Sequence, residues 1–317
     1  MTQMLNYSAH AIEDILSRAP KYRQNRMGID ASQLENFASI LRAAIKYVLP
    51  KEGAYISQGA GLPPGSLPQR LPFPRIALEV PMASIVDTPM DFVSSRRVII
   101  CQEMNLVDDG KFMSTDENTV NSEGFAMAVV SYIDSARTWL LQDTAAYVRY
   151  DLPSLGAGLS TYNETFPSVT KASYSFSVIP ILPESHKLGV DKYGAEAAQR
   201  ASLKDLAREV SIAFEFLQVL ACRNVTEVEH APPEKLNKHR RASGKLLFDV
   251  FRTLTVGDVQ IGMAASNSSD SDGFKVREHL RCGHIRRLSD HQIWIHDTVV
   301  AAGSDRGRVT KTYQIKA

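Results

Sequence analysis

Hydrophobic positions along the first fifty residues recur at helical spacing. Residues 1–18 carry acidic residues inside their apolar stretch and no small-residue cleavage pattern, which predicts a helix rather than a signal peptide. Over residues 32–49, Leu34, Phe37, Leu41, Ala44, Ile45 and Val48 fall on one face. Ser32 and Glu35 form a possible capping box there, and Pro50 closes the helix. A Gly- and Pro-rich linker follows at 59–74. The period then shortens to that of strands, at 75–80, 96–104, 125–134, 138–151 and 174–182, with a polar acidic loop between 106 and 123. The stretch around Trp139 to Tyr147 also fits a helix. Strands in series without intervening helical patterns predict an antiparallel sheet. At 202–221, Leu203, Leu206, Val210, Phe214, Leu217 and Leu220 return to three- and four-residue spacing, the stripe of a long helix packed on that sheet.

Beyond this helix the pattern changes again. Two prolines introduce HAPPEKLNKHRRASGK (230–245), which reads as a basic arm. A strand is expected within 245–256, then an acidic, serine-rich loop at 266–273. The end is β-rich: VREHLR, GHIRRL, HQIWIHDTVV and KTYQIK. The fold class expected is α+β: an antiparallel sheet flanked by N-terminal helices and a long apolar helix, with a basic C-terminal β-ribbon. Its regions are 1–58 (helical), 75–229 (central sheet and packing helix) and 230–317 (basic arm and ribbon), gathered in one compact body.

Charge sharpens that division. The net charge is +1, but 221–317 hold 16 Lys and Arg against 11 Asp and Glu, whereas 1–220 hold 20 against 24. A basic C-terminal third suggests a polyanion or an acidic protein surface as partner. The three cysteines, Cys101, Cys222 and Cys282, are widely spaced and form no CxxC pair, which points to a reducing compartment. No run approaches the ~18–20 apolar residues of a membrane span. A soluble, cytoplasmic protein without a membrane partner is therefore expected.

Chemistry-bearing residues concentrate in 276–300. Lys275, Arg277, Arg281, Arg286 and Arg287 lie within thirteen residues against Glu278 alone. On a two-stranded ribbon they form a row of guanidinium forks suited to phosphates or carboxylates. Gly283 is placed for a bulge or tight bend. The same arginines could instead be the charged edge that keeps a ribbon from aggregating. His279, Cys282 and His284, with His291 and His296 on the next strand, have zinc-ligand chemistry. Their spacing matches no standard zinc pattern and their neighbours are cationic, so no metal and no cofactor is expected. The arm at 235–245 could neutralise phosphates. It lacks the aromatics that stack single-stranded bases, and it could equally be a solvated arm wrapping its own domain. GAGLPPG (59–65) lacks the Lys-Ser/Thr of a phosphate loop, and 267–273 lacks the closing Glu of a calcium loop. With no nucleophile elbow and no HExxH, nothing in the sequence supports an enzyme.

LNKHRRASGK (236–245), VREHLRCGHIRRL (276–288) and QIWIHDTVV (292–300) together resemble a family of phage and prophage proteins. That family carries an L-N-K-x-R-x-x-x-G-K element, then R-x-H-x-R-R-G-H-x-R and a Trp-bearing strand. Its functionally described branch is a type V anti-CRISPR protein that suppresses production of the type V CRISPR nuclease, acting on the nuclease polypeptide as it is synthesised. The likeness covers about the last 85 residues by motif order, and upstream only the layout of elements. It falls on Leu236, Asn237, Lys238, Arg240, Gly244 and Lys245, then on Arg277, His279, Arg281, Gly283, His284, Arg286 and Trp294. Cys282 replaces a second arginine, which removes one guanidinium from the ribbon, and Asp297 stands where proline is common. The resemblance implies a host protein as partner, such as the nuclease or its nascent chain, with nucleic acid as the alternative. Taken together, the residues expected at the partner-binding site are Asn237, Lys238, Arg240, Lys245, Arg277, His279, Arg281, His284, Arg286, Arg287 and Trp294.

Overall fold

A computed structural model of the chain describes residues 5–24, 31–54, 67–82, 93–104, 123–152, 176–256, 279–281, 284–295 and 298–300. The N-terminal part holds α1 (Tyr7–Gln24), α2 (Ala31–Ala43) and β1 (Ile45–Val48). The sheet continues with β2 (Arg75–Pro81), β3 (Ser94–Met104), β4 (Gly124–Ile133), β5 (Thr138–Leu141), β6 (Thr144–Arg149) and β7 (Ser177–Pro180). Then follow α3 (Pro183–Tyr193), α4 (Ala195–Leu220), β8 (Val225–His230), α5 (Glu234–Ala242) and β9 (Phe251–Val256). Four short strands, β10 (His279–Arg281), β11 (His284–Arg287), β12 (Gln292–Ile295) and β13 (Thr298–Val300), complete the described chain.

Nine strands form one mixed sheet in the order β7-β6-β4-β3-β2-β1-β9-β8, with β5 pairing the far end of β4. Alternation along the strands divides the core into two layers. Ala77, Val98, Ile100, Ala128 and Val130 meet α1 and α2 through Ile12, Ile15, Phe37 and Leu41. Ile76, Leu78, Ile99, Met127 and Val129 meet α4 through Leu206, Val210, Phe214 and Leu217. The central strands are buried on both sides and so read as continuous apolar runs. α4 carries its apolar residues as a stripe rather than all round, and no helix among the described residues is long and apolar enough to cross a membrane.

Three sequence expectations need correction. The helix expected over 32–49 ends at Ala43, and Ile45 and Tyr47 pair with Ile76 and Leu78 as a strand. Ile45, Tyr47 and Leu49 join the α4 layer, a period of two of which the helical template included only Ile45. The sheet is also not wholly antiparallel, because β1 runs parallel to both its neighbours, β2 and β9. Finally, the single strand expected over 138–151 is two strands, β5 and β6, laid end to end along β4.

A buried carboxylate joins two of the layers. Glu79 on β2 is only 3% exposed, and its Oε1 accepts the Ser8 backbone N–H at 2.8 Å. An acceptor at that point satisfies a donor that the first turn of α1 leaves open. Burial holds the carboxyl above its ordinary range, against the backbone donors of Ser8 and Tyr7 and the charge of Lys46.

Candidate functional site

The basic arm is a helix. Pro233 precedes α5 and supplies a φ suited to helix entry. At the other end the Lys245 N–H reaches the Arg240 carbonyl at 2.9 Å and the Gly244 N–H reaches the Arg241 carbonyl at 3.2 Å. Gly244 has φ 64°, so these bonds form a Schellman stop, in which glycine takes the left-handed position without a Cβ penalty.

α5 is fixed by polar side chains. The Asn237 amide donates to the Phe248 carbonyl at 2.9 Å and accepts the Phe248 N–H at 2.9 Å. Arg240, 7% exposed, pairs with Glu13 of α1 at 2.5 Å and donates from Nε to the Leu246 carbonyl at 2.5 Å. Its guanidinium lies 3.9 Å from the centre of the Phe248 ring. Glu13 also accepts the Leu246 N–H at 2.8 Å. His10 meets Phe248 edge-on, and burial, then the Arg240 charge, lower its pKa. A second tether joins Asp249 to buried Lys46 at 2.8 Å. Asn237 and Arg240, two of the expected partner-binding residues, thus spend their side chains inside the molecule. Lys235, Lys238, His239, Arg241 and Lys245 remain exposed.

The ribbon is present as two paired stretches. β10 pairs antiparallel with β13 and β11 with β12, in one unshifted register from His279↔Val300 to Arg287↔Gln292. Gly283, where a bulge or tight bend was expected, lies outside the described residues. The Leu288 N–H bonds the His291 carbonyl at 2.8 Å, closing the ribbon over Ser289 and Asp290. Its inner face is docked by Trp294, 7% exposed, which packs with Val219, Cys222 and Ile285. The Asn224 amide holds the Trp294 backbone from both sides, accepting its N–H at 2.7 Å and donating to its carbonyl at 2.8 Å. Gln292 donates to the Gln218 carbonyl at 3.0 Å, and the Arg223 N–H to the Gln292 carbonyl at 2.9 Å.

The ribbon tip consequently presents Arg286, Arg287 and Leu288, the last 40% exposed, with Arg223 alongside. Trp294 lies beneath this surface rather than on it. His279, Arg281 and His284 have strand backbone in the ribbon, while Arg277, Cys282 and His296 lie outside the described residues. Among the described residues no group of three His, Cys, Asp or Glu could hold a metal ion. Buried Cys222 has its thiol pushed up to about 11 by burial, with Arg287 acting the other way.

Sequence reasoning missed Leu288, Arg223 and Asn224 at the ribbon and Glu13 beneath α5. The Ser-Asp turn was the one local signal that could have placed Leu288 at a tip. No family model, curated protein or solved structure matches the chain.

Proposed function

We propose that this chain is a binding protein rather than an enzyme, and that the tip of its C-terminal ribbon recognises an acidic protein segment. Arg286 and Arg287 with exposed Leu288, on a strand pair pinned by Trp294 and Asn224, carry this reading. Protein interfaces are enriched in arginine and need an apolar anchor, and a rigid support lowers the ordering cost of binding. The resemblance of the 236–300 motifs supplies the biological setting. In that setting the chain is a phage-encoded anti-CRISPR protein whose partner is a type V CRISPR nuclease or its nascent polypeptide.

The test is co-production with a type V nuclease in a bacterial host. The native chain should lower nuclease accumulation and co-precipitate its polypeptide after nuclease digestion of the lysate. Arg286→Glu with Arg287→Glu should remove both effects while the protein remains folded, since a reversed charge in a buried contact costs ~2 kcal/mol or more. Unchanged nuclease levels together with no co-precipitation would refute the proposal.

A further inference from the structure

A second cationic surface lies on α5, distinct from the ribbon tip. At about 100° per residue, Asn237 and Arg240 share the side that faces the body. Lys235, Lys238, His239 and Ala242 fall on the opposite side, with Arg241 on one flank and Lys245 just past the Schellman turn. Lys235, Lys238, Arg241 and Lys245 are exposed and pair with no carboxylate among the described residues. Glu234, in the first turn, is the sole acid of the helix. Two independent locks, Asn237 on Phe248 and Arg240 on Glu13, fix the rotation of the helix and so aim this ridge outward.

The composition of the ridge selects its ligand. Lysine is depleted at protein interfaces, and the ridge has no Phe, Tyr or Trp; its apolar contribution is Ala242 and, to one side, Leu236. A single ring, that of His239, is too little for single strands, whose successive bases stack on several aromatic side chains. A convex helix about 10–12 Å across matches the B-DNA major groove, about 12 Å wide, and not the deep, narrow major groove of A-form RNA. Asn237 and Arg240, two side chains able to read base edges, face inward, which leaves Lys235, Lys238, Arg241 and Lys245 outward as charges that neutralise phosphates. We infer that the outer face of α5 binds the phosphate backbone of duplex DNA without sequence preference. This inference is independent of the ribbon reading.

Fluorescence anisotropy with the full chain and a labelled random-sequence duplex DNA, from about 50 to 200 mM salt, tests it. If Lys235, Lys238, Arg241 and Lys245 each contact one phosphate, log affinity should fall by about 3.6 per decade of salt. Lys235→Gln with Lys238→Gln should reduce that slope by about 1.8 and weaken binding at least ~10-fold at low salt. The thermal midpoint should be unchanged, because both side chains are exposed. Duplex RNA of the same sequence, single-stranded DNA and polyglutamate should each bind more weakly than duplex DNA. Arg286→Glu with Arg287→Glu should leave DNA binding unaltered. The inference fails if the native chain shows no duplex binding at the lowest salt, if the α5 variant binds like the native chain, if any of the three comparison ligands binds more tightly, or if the ribbon variant is the one that loses DNA.

Discussion

Arg240→Ala should unfold the protein more easily without any partner being present. The guanidinium makes an ion pair with Glu13 at 2.5 Å, a bond to the Leu246 carbonyl at 2.5 Å and a face contact with Phe248. Hydrogen bonds to charged groups contribute about 1.5–3 kcal/mol, and breaking a buried pair costs about 3–5 kcal/mol. Glu13 is 30% exposed on its side chain, and it keeps the Leu246 N–H as a partner after the change. Both facts place the loss at the lower end, about 2–3 kcal/mol. With a urea m-value of about 3 kcal/mol/M, the midpoint should move down by about 0.7–1 M at unchanged m. Lys238→Ala, on the outer side of the same helix, should stay within about 0.5 kcal/mol of the native chain. Circular dichroism through a urea series measures both. Because Glu13→Gln removes the same pair, the double variant should lose less than the sum of the single losses. Equal midpoints for Arg240→Ala and the native chain would refute the lock and return Arg240 to the candidate partner contacts.

Other outcomes follow from other buried groups. Glu79→Gln should stabilise the fold at neutral pH and confer no advantage near pH 4. Burial raises the folded pKa of Glu79, so its contribution is fully present below the ordinary value of 4.5 and is lost as pH rises through the raised one. Thermal midpoints across pH 4–8 show whether the advantage has this direction. Arg97 pairs with fully buried Glu209, so Arg97→Met should cost about 3 kcal/mol, while Arg97→Met with Glu209→Leu should recover most of it; chemical denaturation compares them. Trp294→Ala should speed amide exchange in β11 and β12 and abolish partner capture with Arg286 and Arg287 intact, because the ribbon is held through its packing and the Asn224 clasp.

The large layers were legible because α4 carries one apolar stripe at helical spacing and the central strands read as continuous apolar runs. α4 and strands β2 to β4 bury long runs, and the ribbon was expected from the arginines clustered over 277–287 and the strand-like run at 291–300. Elsewhere the sequence carried a weaker or mixed signal. α3 has no buried residue, so no stripe marked it as a helix. β1 includes Lys46, buried and bonded to the Arg42 carbonyl and to Asp249, while its apolar residues continued the spacing of α2. Its parallel placement between β2 and β9 depends on partners remote in sequence, which no local pattern encodes.

The same limit explains why two of the candidate site residues turn inward, and α5 shows its physical form. An amphipathic helix is recognised by apolar residues on its inner face. α5 instead turns Asn237 and Arg240 inward and holds itself by hydrogen bonds, an ion pair and a ring contact. Its periodicity is therefore one of polar residues against polar residues, which from sequence looks like a charged arm. Arg240 and Arg241 are neighbours of identical chemistry, yet a rotation of about 100° puts one against Glu13 and the other in solvent. Motif order could single out Arg240 without saying which side of a helix it occupies. A residue fixed by an inward lock constrains the sequence as strongly as a partner contact would, and Glu13, 227 positions away, is what separates the two roles.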